Sequence, residues 1–211
     1  MSSLATLLNL ADSRLPTGGH VHSGGVEEAI ASGLLTDVGT VRAYLIRRIR
    51  SSGLVAASIA VAVHTGALDP AAADAETDAR TPAPAAREAS RAQGRGLARL
   101  ARRVWPVPSW QTLGARPHLP VAAGVVGAAA ELDPGQTALA VVYTTMTGSA
   151  TAAQRLLALD PADVATLTLD LSELCDATAA EAVTGLADLS DPLLDVLAQR
   201  HTKRDRPLFV S

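Results

Sequence analysis

Aspartate is followed by proline at Asp69-Pro70, Asp133-Pro134, Asp160-Pro161 and Asp191-Pro192. Each pair is a helix start. The carboxylate accepts from the free N–H groups of a first turn, and proline suits the first helical position, where its missing N–H has no partner. Thr81-Pro82-Ala83-Pro84 adds a further break and restart. There is no Asn-Gly hairpin turn, and alternating apolar runs are few. These features predict an all-α chain, a single-domain helical bundle of roughly eight to ten helices over residues 1–211. Only Thr166 to Leu171 admits a strand.

Apolar spacing places the helices. They fall at Leu4 to Leu10, at Gly25 to Ser32, and from Val38 to Gly66 with Val41, Tyr44, Leu45 and Ile49 inward and a bend at Gly53. Ala71 to Ala79 reads as a helix with a solvated acidic face. Pro84 to Val104 follows, with Leu97, Leu100 and Val104 towards a core. Val121 to Leu132 is read as helix because Ala and Gly outnumber β-branched residues. Asp133 to Leu159 turns Leu139, Val142, Tyr143 and Met146 inward, and Gly148 weakens its middle. Asp160 to Thr184 is read as one helix, and Pro192 to His201 as the last. The four prolines and Gly114 of Trp105 to Pro120 mark a hinge or boundary. Nearly half the chain is hydrophobic, much of it alanine, with 2% aromatic residues. Such a core gains from backbones packing closely rather than from a few large side chains.

Composition also narrows the function classes. Met1-Ser-Ser-Leu lacks the basic start of a secretory signal. The nearest thing to a membrane span, Arg50 to Asp69, carries Ser51, Ser52, Ser58 and His64. A cytoplasmic protein without a membrane partner is expected. A lone Cys175 leaves no internal disulfide. Charge is segregated. Residues 80–116 hold Arg80, Arg87, Arg91, Arg95, Arg99, Arg102, Arg103 and Arg116 against Glu88, whereas Arg155 is the only base between Glu131 and Asp195. Opposed faces of this kind suit self-association or a charged partner.

Polar chemistry gathers in Leu10 to Ile30. The first helix pattern stops at Asp12-Ser13, and Pro16, Gly18, Gly19, Gly24 and Gly25 shape an irregular loop before Val26-Glu27-Glu28 resumes a helix. His20 and His22 form a candidate metal pair, with Glu27 and Glu28 as further oxygen donors. Without a clear third ligand, hydrogen bonding to loop backbone is the more economical reading. A phosphate loop is excluded, since no Gly-Lys-Ser/Thr follows. Ser23 beside His22 does not complete a nucleophile elbow, because Val21 occupies the first glycine position. Arg87, Arg91, Arg95 and Arg99 fall at successive i+4 positions, one ridge along one helix. That ridge is a solvated face or a surface for an acidic protein, with nucleic acid third because aromatics are scarce. His64, His118 and His201 are dispersed and do not combine into a site. The residues alone read as an interaction protein rather than an enzyme. A small His-based metal-dependent hydrolase and a helical nucleic-acid-binding regulator are the alternatives.

The opening Leu7-Leu8-x-Leu10-Ala11-Asp12-Ser13-x-Leu15-Pro16-x-Gly18-Gly19, continued by His22-Ser23-Gly24-Gly25-Val26-Glu27, resembles the start of the urease accessory protein F family, in its actinobacterial form. The likeness continues at Gln93-Gly94, at His118-x-Pro120 with Gly124, and at Thr151-Ala152-Ala153-Gln154-Arg155-Leu156. It ends with His201 and the tail Arg206-Pro207-Leu208-Phe209-Val210-Ser211. His20 and His22 stand where the family carries aromatics, Ala158 to Pro161 replaces a Gly-Gln pair, and Val210 replaces a basic residue.

The resemblance implies an all-α dimer without cofactor or catalysis of its own. It implies a nickel-insertion chaperone that bridges urease accessory protein D (also called H) and the nickel-carrying GTPase, protein G, and reaches the urease apoprotein through that complex. It also implies an influence on GTP hydrolysis or nickel release. The expected partner-binding residues are Arg87, Arg91, Arg95, Gln154, Arg155, Arg206, Leu208, Phe209 and Ser211, with residues 202–211 as a partner-binding tail. Pro16, Gly18, Gly19, Ser23, Gly24 and Glu27 form the structural loop. His20 and His22 are the weaker candidates for touching nickel.

Overall fold

A computed structural model describes residues 4–12 and 14–211. Ser13, at the expected end of the first helix, lies outside the described residues. Among them every regular element is helical: α1 (Leu4–Leu10), α2 (Val26–Ala31), α3 (Val38–Arg48), α4 (Leu54–His64), α5 (Pro70–Ala79), α6 (Pro84–Val104), α7 (Leu119–Ala129), α8 (Pro134–Leu157), α9 (Pro161–Asp170), α10 (Ser172–Ala182) and α11 (Pro192–His201). The Asp-Pro starts act as their chemistry requires. Asp69 accepts from Ala71 and Ala72 N–H, Asp160 from Ala162, and Asp191 from Leu193. Asp133 accepts from Gln136 N–H while the Gln136 side chain accepts from Asp133 N–H, a reciprocal cap.

The centre is α4. Its sequence is apolar all round, and nearly every residue is buried, as a core helix requires. Leu54, Ala57, Ala60 and Val61 join a cluster with α2, α3, α8, α9, α10 and α11. Val55, Ile59 and Val63 join a second with α5, α6, α7, Trp110 and Leu113. Opposite faces of one helix thus hold two cores together. Helix α7 comes very close, because a Cβ on Gly124 would lie 2.4 Å from the Ala60 carbonyl oxygen.

Some local expectations are corrected and others are met. Residues 161–182 form two helices, broken at Leu171, where the Ser172 hydroxyl donates to the Leu169 carbonyl. The segment Thr166 to Leu171 is not a strand; Thr166 and Thr168 hydroxyls bond back to Ala162 and Ala165 carbonyls within α9. Helix α8 runs unbroken through Gly148. Tyr143 is largely exposed whereas Val142 and Met146 are buried, since one residue of helix turns a side chain about 100° away from its neighbour's face. Val104 is also exposed; Leu97 packs against the second core as expected, and the buried residues of α6 are Gly94, Ala98 and Ala101. The bend at Gly53 is a π-helical turn over Ile49–Gly53 joining α3 to α4.

Candidate functional site: the loop, the tail and the arginine helix

The glycine loop meets the end of the chain. Gly18, Gly24 and Gly25 all take left-handed backbone. Gly25 must be glycine for a second reason: a Cβ there would sit 2.7 Å from the Tyr44 hydroxyl. That hydroxyl and Arg48 Nη1 both donate to the Gly24 carbonyl, at 2.7 and 2.6 Å. Helix α3 thereby fixes the loop just before α2 begins.

The tail lies along the loop. Val210 N–H donates to the Val21 carbonyl at 2.7 Å, and Ser23 N–H donates to the Ser211 carbonyl at 2.5 Å. His22 Nδ1 is 2.6 Å from the Ser211 hydroxyl. Beneath them the buried Glu27 carboxylate accepts from Leu208 N–H at 2.8 Å, Phe209 N–H at 3.0 Å and His201 Nε2 at 2.9 Å. Arg204 approaches the same carboxylate at 3.7 Å and bonds Glu28 at 3.3 Å. Burial alone would raise the Glu27 carboxyl; the donations from Leu208, His201 and Phe209 outweigh it and hold it below its ordinary value. Burial pushes His22 down. The consequence for the side chains alternates along the tail. Phe209 enters the first core with the Arg155 guanidinium 5.3 Å from its ring centroid, whereas Leu208 and Val210 project into solvent.

The expected partner residues therefore divide. Leu208 and Arg206 are exposed. Phe209 is occupied internally with Arg155, and Ser211 with Ser23 and His22. Gln154 is half-buried, and its carbonyl accepts from Leu159 N–H where α8 ends. In the structural loop Ser23 is fully buried, its hydroxyl accepting from Glu27 N–H at 3.3 Å, while Pro16 is exposed. His20 is exposed, and Glu27 and Glu28, weighed as donors to a metal, face the tail and α11 instead. Among the described residues no three His, Cys, Asp or Glu side chains gather as a metal set.

The arginine ridge is also uneven. Arg87 Nε donates to the Thr81 carbonyl at 2.6 Å and lies 3.7 Å from Asp78. Arg91 bonds Asp78 at 2.8 Å, the Arg116 carbonyl at 2.7 Å and Asp74 at 3.4 Å. Asp74 and Asp78 of α5, expected to be solvated, are thus committed to α6, whereas Glu76 pairs with Arg80. They also hold His118, whose N–H donates to Asp74 and whose Nε2 lies 2.9 Å from Asp78. Burial lowers His118, the bond to Asp78 opposing it. Arg95, by contrast, is exposed. His201 meets the buried Glu27 carboxylate and His118 the half-exposed Asp78, pairings that no local spacing announces; His64 bonds Thr137 at 2.8 Å.

A profile of the UreF family matches residues 35–172, well over half the chain. The chain belongs to the UreF family. Proteins described as urease accessory protein UreF are 74% identical in Mycobacterium sp. strain JLS, over the full length of both chains, and 71% identical in Mycobacterium marinum, again over both full lengths. That of Mycolicibacterium vanbaalenii is 74% identical over 214 residues, covering both chains fully. The UreF profile begins after the glycine loop and ends before the tail, whereas these relatives span both. No helix among the described residues is long and apolar enough to cross a membrane.

Proposed function

We propose that this chain is a non-catalytic urease maturation factor that bridges accessory protein D/H and the nickel-carrying GTPase, protein G, and modulates GTP hydrolysis or nickel release. The family and the naming of its relatives supply the process. The single observation that carries the bridging role is the shape of the tail: Phe209 and the Glu27 bonds fix its backbone, and that rigid backbone presents Leu208 and Val210 outward. Exposed apolar side chains on an ordered support lose little conformational freedom when a partner covers them. Leu4 and Leu8 of α1 are also exposed and offer a further apolar surface to a second copy of the chain or to the urease apoprotein.

The test is co-expression with protein D/H and the GTPase, followed by size exclusion. A ternary complex is expected, and Leu208→Asp with Val210→Asp should remove protein D/H while the helical circular dichroism is kept. Co-elution unchanged in that double variant would rule out the tail as the contact. Absence of any complex with the unaltered chain would rule out the bridge.

A further inference from the structure

Arg95 and Arg99 differ from the arginines before them on α6. Both are exposed, and among the described residues neither meets a carboxylate, although Arg80, Arg87, Arg91 and Arg116 all do. The chain has 21 acidic residues against 18 Lys and Arg, so the missing counter-charge is a matter of position, not of supply. The two arginines are one helical turn apart and, with Thr17, Gly18, Ala92 and Gly96, line a shallow groove of about 280 Å³. The groove has a built floor. A Cβ on Gly96 would lie 2.2 Å from the Thr17 carbonyl oxygen, so loop backbone sits directly against the helix, while a Cβ on Gly18 would meet nothing within 4 Å. The loop is therefore close enough to form a wall and open enough to leave room above it.

Like charges one turn apart repel, and a guanidinium fork matches a carboxylate with two parallel hydrogen bonds. We propose that this groove receives an acidic helical segment of a partner protein, one carrying two carboxylates at i and i+4, one for each fork. Protein is favoured over nucleic acid by what lines the groove. No aromatic side chain is there for a base to stack on, Trp110 is buried, and the chain as a whole is acidic. The proposal rests on the maturation reading only for which proteins carry such a segment.

The groove is tested on the full chain by fluorescence anisotropy, with a labelled alanine-based helical peptide bearing Glu-x-x-x-Glu as probe. The expected result is salt-sensitive binding that weakens by about ten-fold or more in R95E/R99E. Arg102→Glu, exposed on the same helix outside the groove, should leave binding within about two-fold. Absence of peptide binding to the unaltered chain at millimolar concentration would overturn the proposal, as would equal binding by R95E/R99E with its helicity intact. So would tighter, equally Arg95- and Arg99-dependent binding of a single-stranded oligonucleotide. In a second arm the unaltered chain and R95E/R99E are presented to protein D/H, the GTPase and the urease apoprotein. Binding of none by the unaltered chain sinks the maturation reading and leaves the peptide result standing. Equal binding by both chains sinks the groove and leaves the maturation reading standing.

Discussion

The Glu27 carboxylate accepts a hydrogen bond from His201 Nε2 at 2.9 Å across 174 positions of the chain, and both side chains are almost fully buried. Glu27 is held below its ordinary pKa and so is ionised near neutral pH. A carboxylate only accepts, which assigns the proton to Nε2 of His201. The same carboxylate takes the Leu208 and Phe209 N–H groups, so one side chain near the start of α2 anchors the end of α11 and the tail together.

Glu27→Ala is expected to destabilise the protein by about 3 kcal/mol, since it leaves three donors, two of them buried, without an acceptor. Glu27→Gln keeps the shape but brings an N–H₂ against a tail N–H, and should lose about half as much. Urea unfolding followed by circular dichroism measures both, and limited tryptic proteolysis after Arg204 should be faster in each. Deleting residues 207–211 removes the burial of Phe209 as well, worth about 2 kcal/mol, so the exposed Leu208 and Val210 are the cleaner positions for partner tests. Equal stability of Glu27→Ala and the unaltered chain would show that the tail is not anchored in this way.

Two glycines in helices should respond oppositely to alanine. In Gly96→Ala the gain in helix propensity, about 1 kcal/mol, is overridden because the new Cβ would lie 2.2 Å from the Thr17 carbonyl oxygen; the midpoint should fall. At Gly148 a Cβ meets nothing within 4 Å, and Gly148→Ala should raise stability by about 0.5–1 kcal/mol. Thermal melts of the two variants decide the matter, and a stabilising Gly96→Ala would mean the loop yields at little cost.

What was legible in the sequence was local. Asp-Pro starts, the inward face of α3 and the bend near Gly53 depend on residues a few positions apart, where spacing and propensity carry the information. Spacing misplaces Tyr143 because one residue more or less decides a helical face, and it misses the break at Leu171 because the apolar pattern continues through it. The loop was recognisable from Gly18 to Gly25. Its partner was not: Glu27 meets donors near positions 201–209, and no short-range pattern reports that. Asp74 and Asp78 read as a wet face of α5 for the same reason, although they consume Arg91 and His118.

Asp191 joins two helices. Its carboxylate accepts from Leu193 N–H at the start of α11 and takes Arg47 Nε and Nη2 at 2.7 and 2.6 Å, with the Ser51 hydroxyl at 3.0 Å. Asp191→Ala removes a cap, about 1 kcal/mol, together with a two-pronged ion pair whose carboxylate is buried. A total loss of about 2–3 kcal/mol is expected. Arg47→Ala, which leaves the cap in place, should cost less. A double-mutant cycle from urea midpoints separates the two contributions, and a larger cost for Arg47→Ala than for Asp191→Ala would reverse this assignment.

Acid should weaken the fold in two stages. His22 and His118 are both held below their ordinary 6.5, chiefly by burial. The unfolded chain therefore binds more protons than the folded one as pH drops below about 6.5, and stability present above that value is progressively lost. Glu27, Asp78 and Asp191 are likewise held below their ordinary carboxylate values. Their contribution persists to lower pH and is lost as pH falls through the carboxylate range. Asp195, raised by burial, acts in the opposite direction and softens the second stage. Urea midpoints measured from pH 8 to pH 4 should fall below about 6.5 and fall again below about 4.5. His22→Gln should flatten part of the first fall while leaving the second, because the Ser211 hydroxyl can still be met by an uncharged amide. A midpoint constant between pH 7.5 and 5 would show that neither histidine is held neutral in the folded chain.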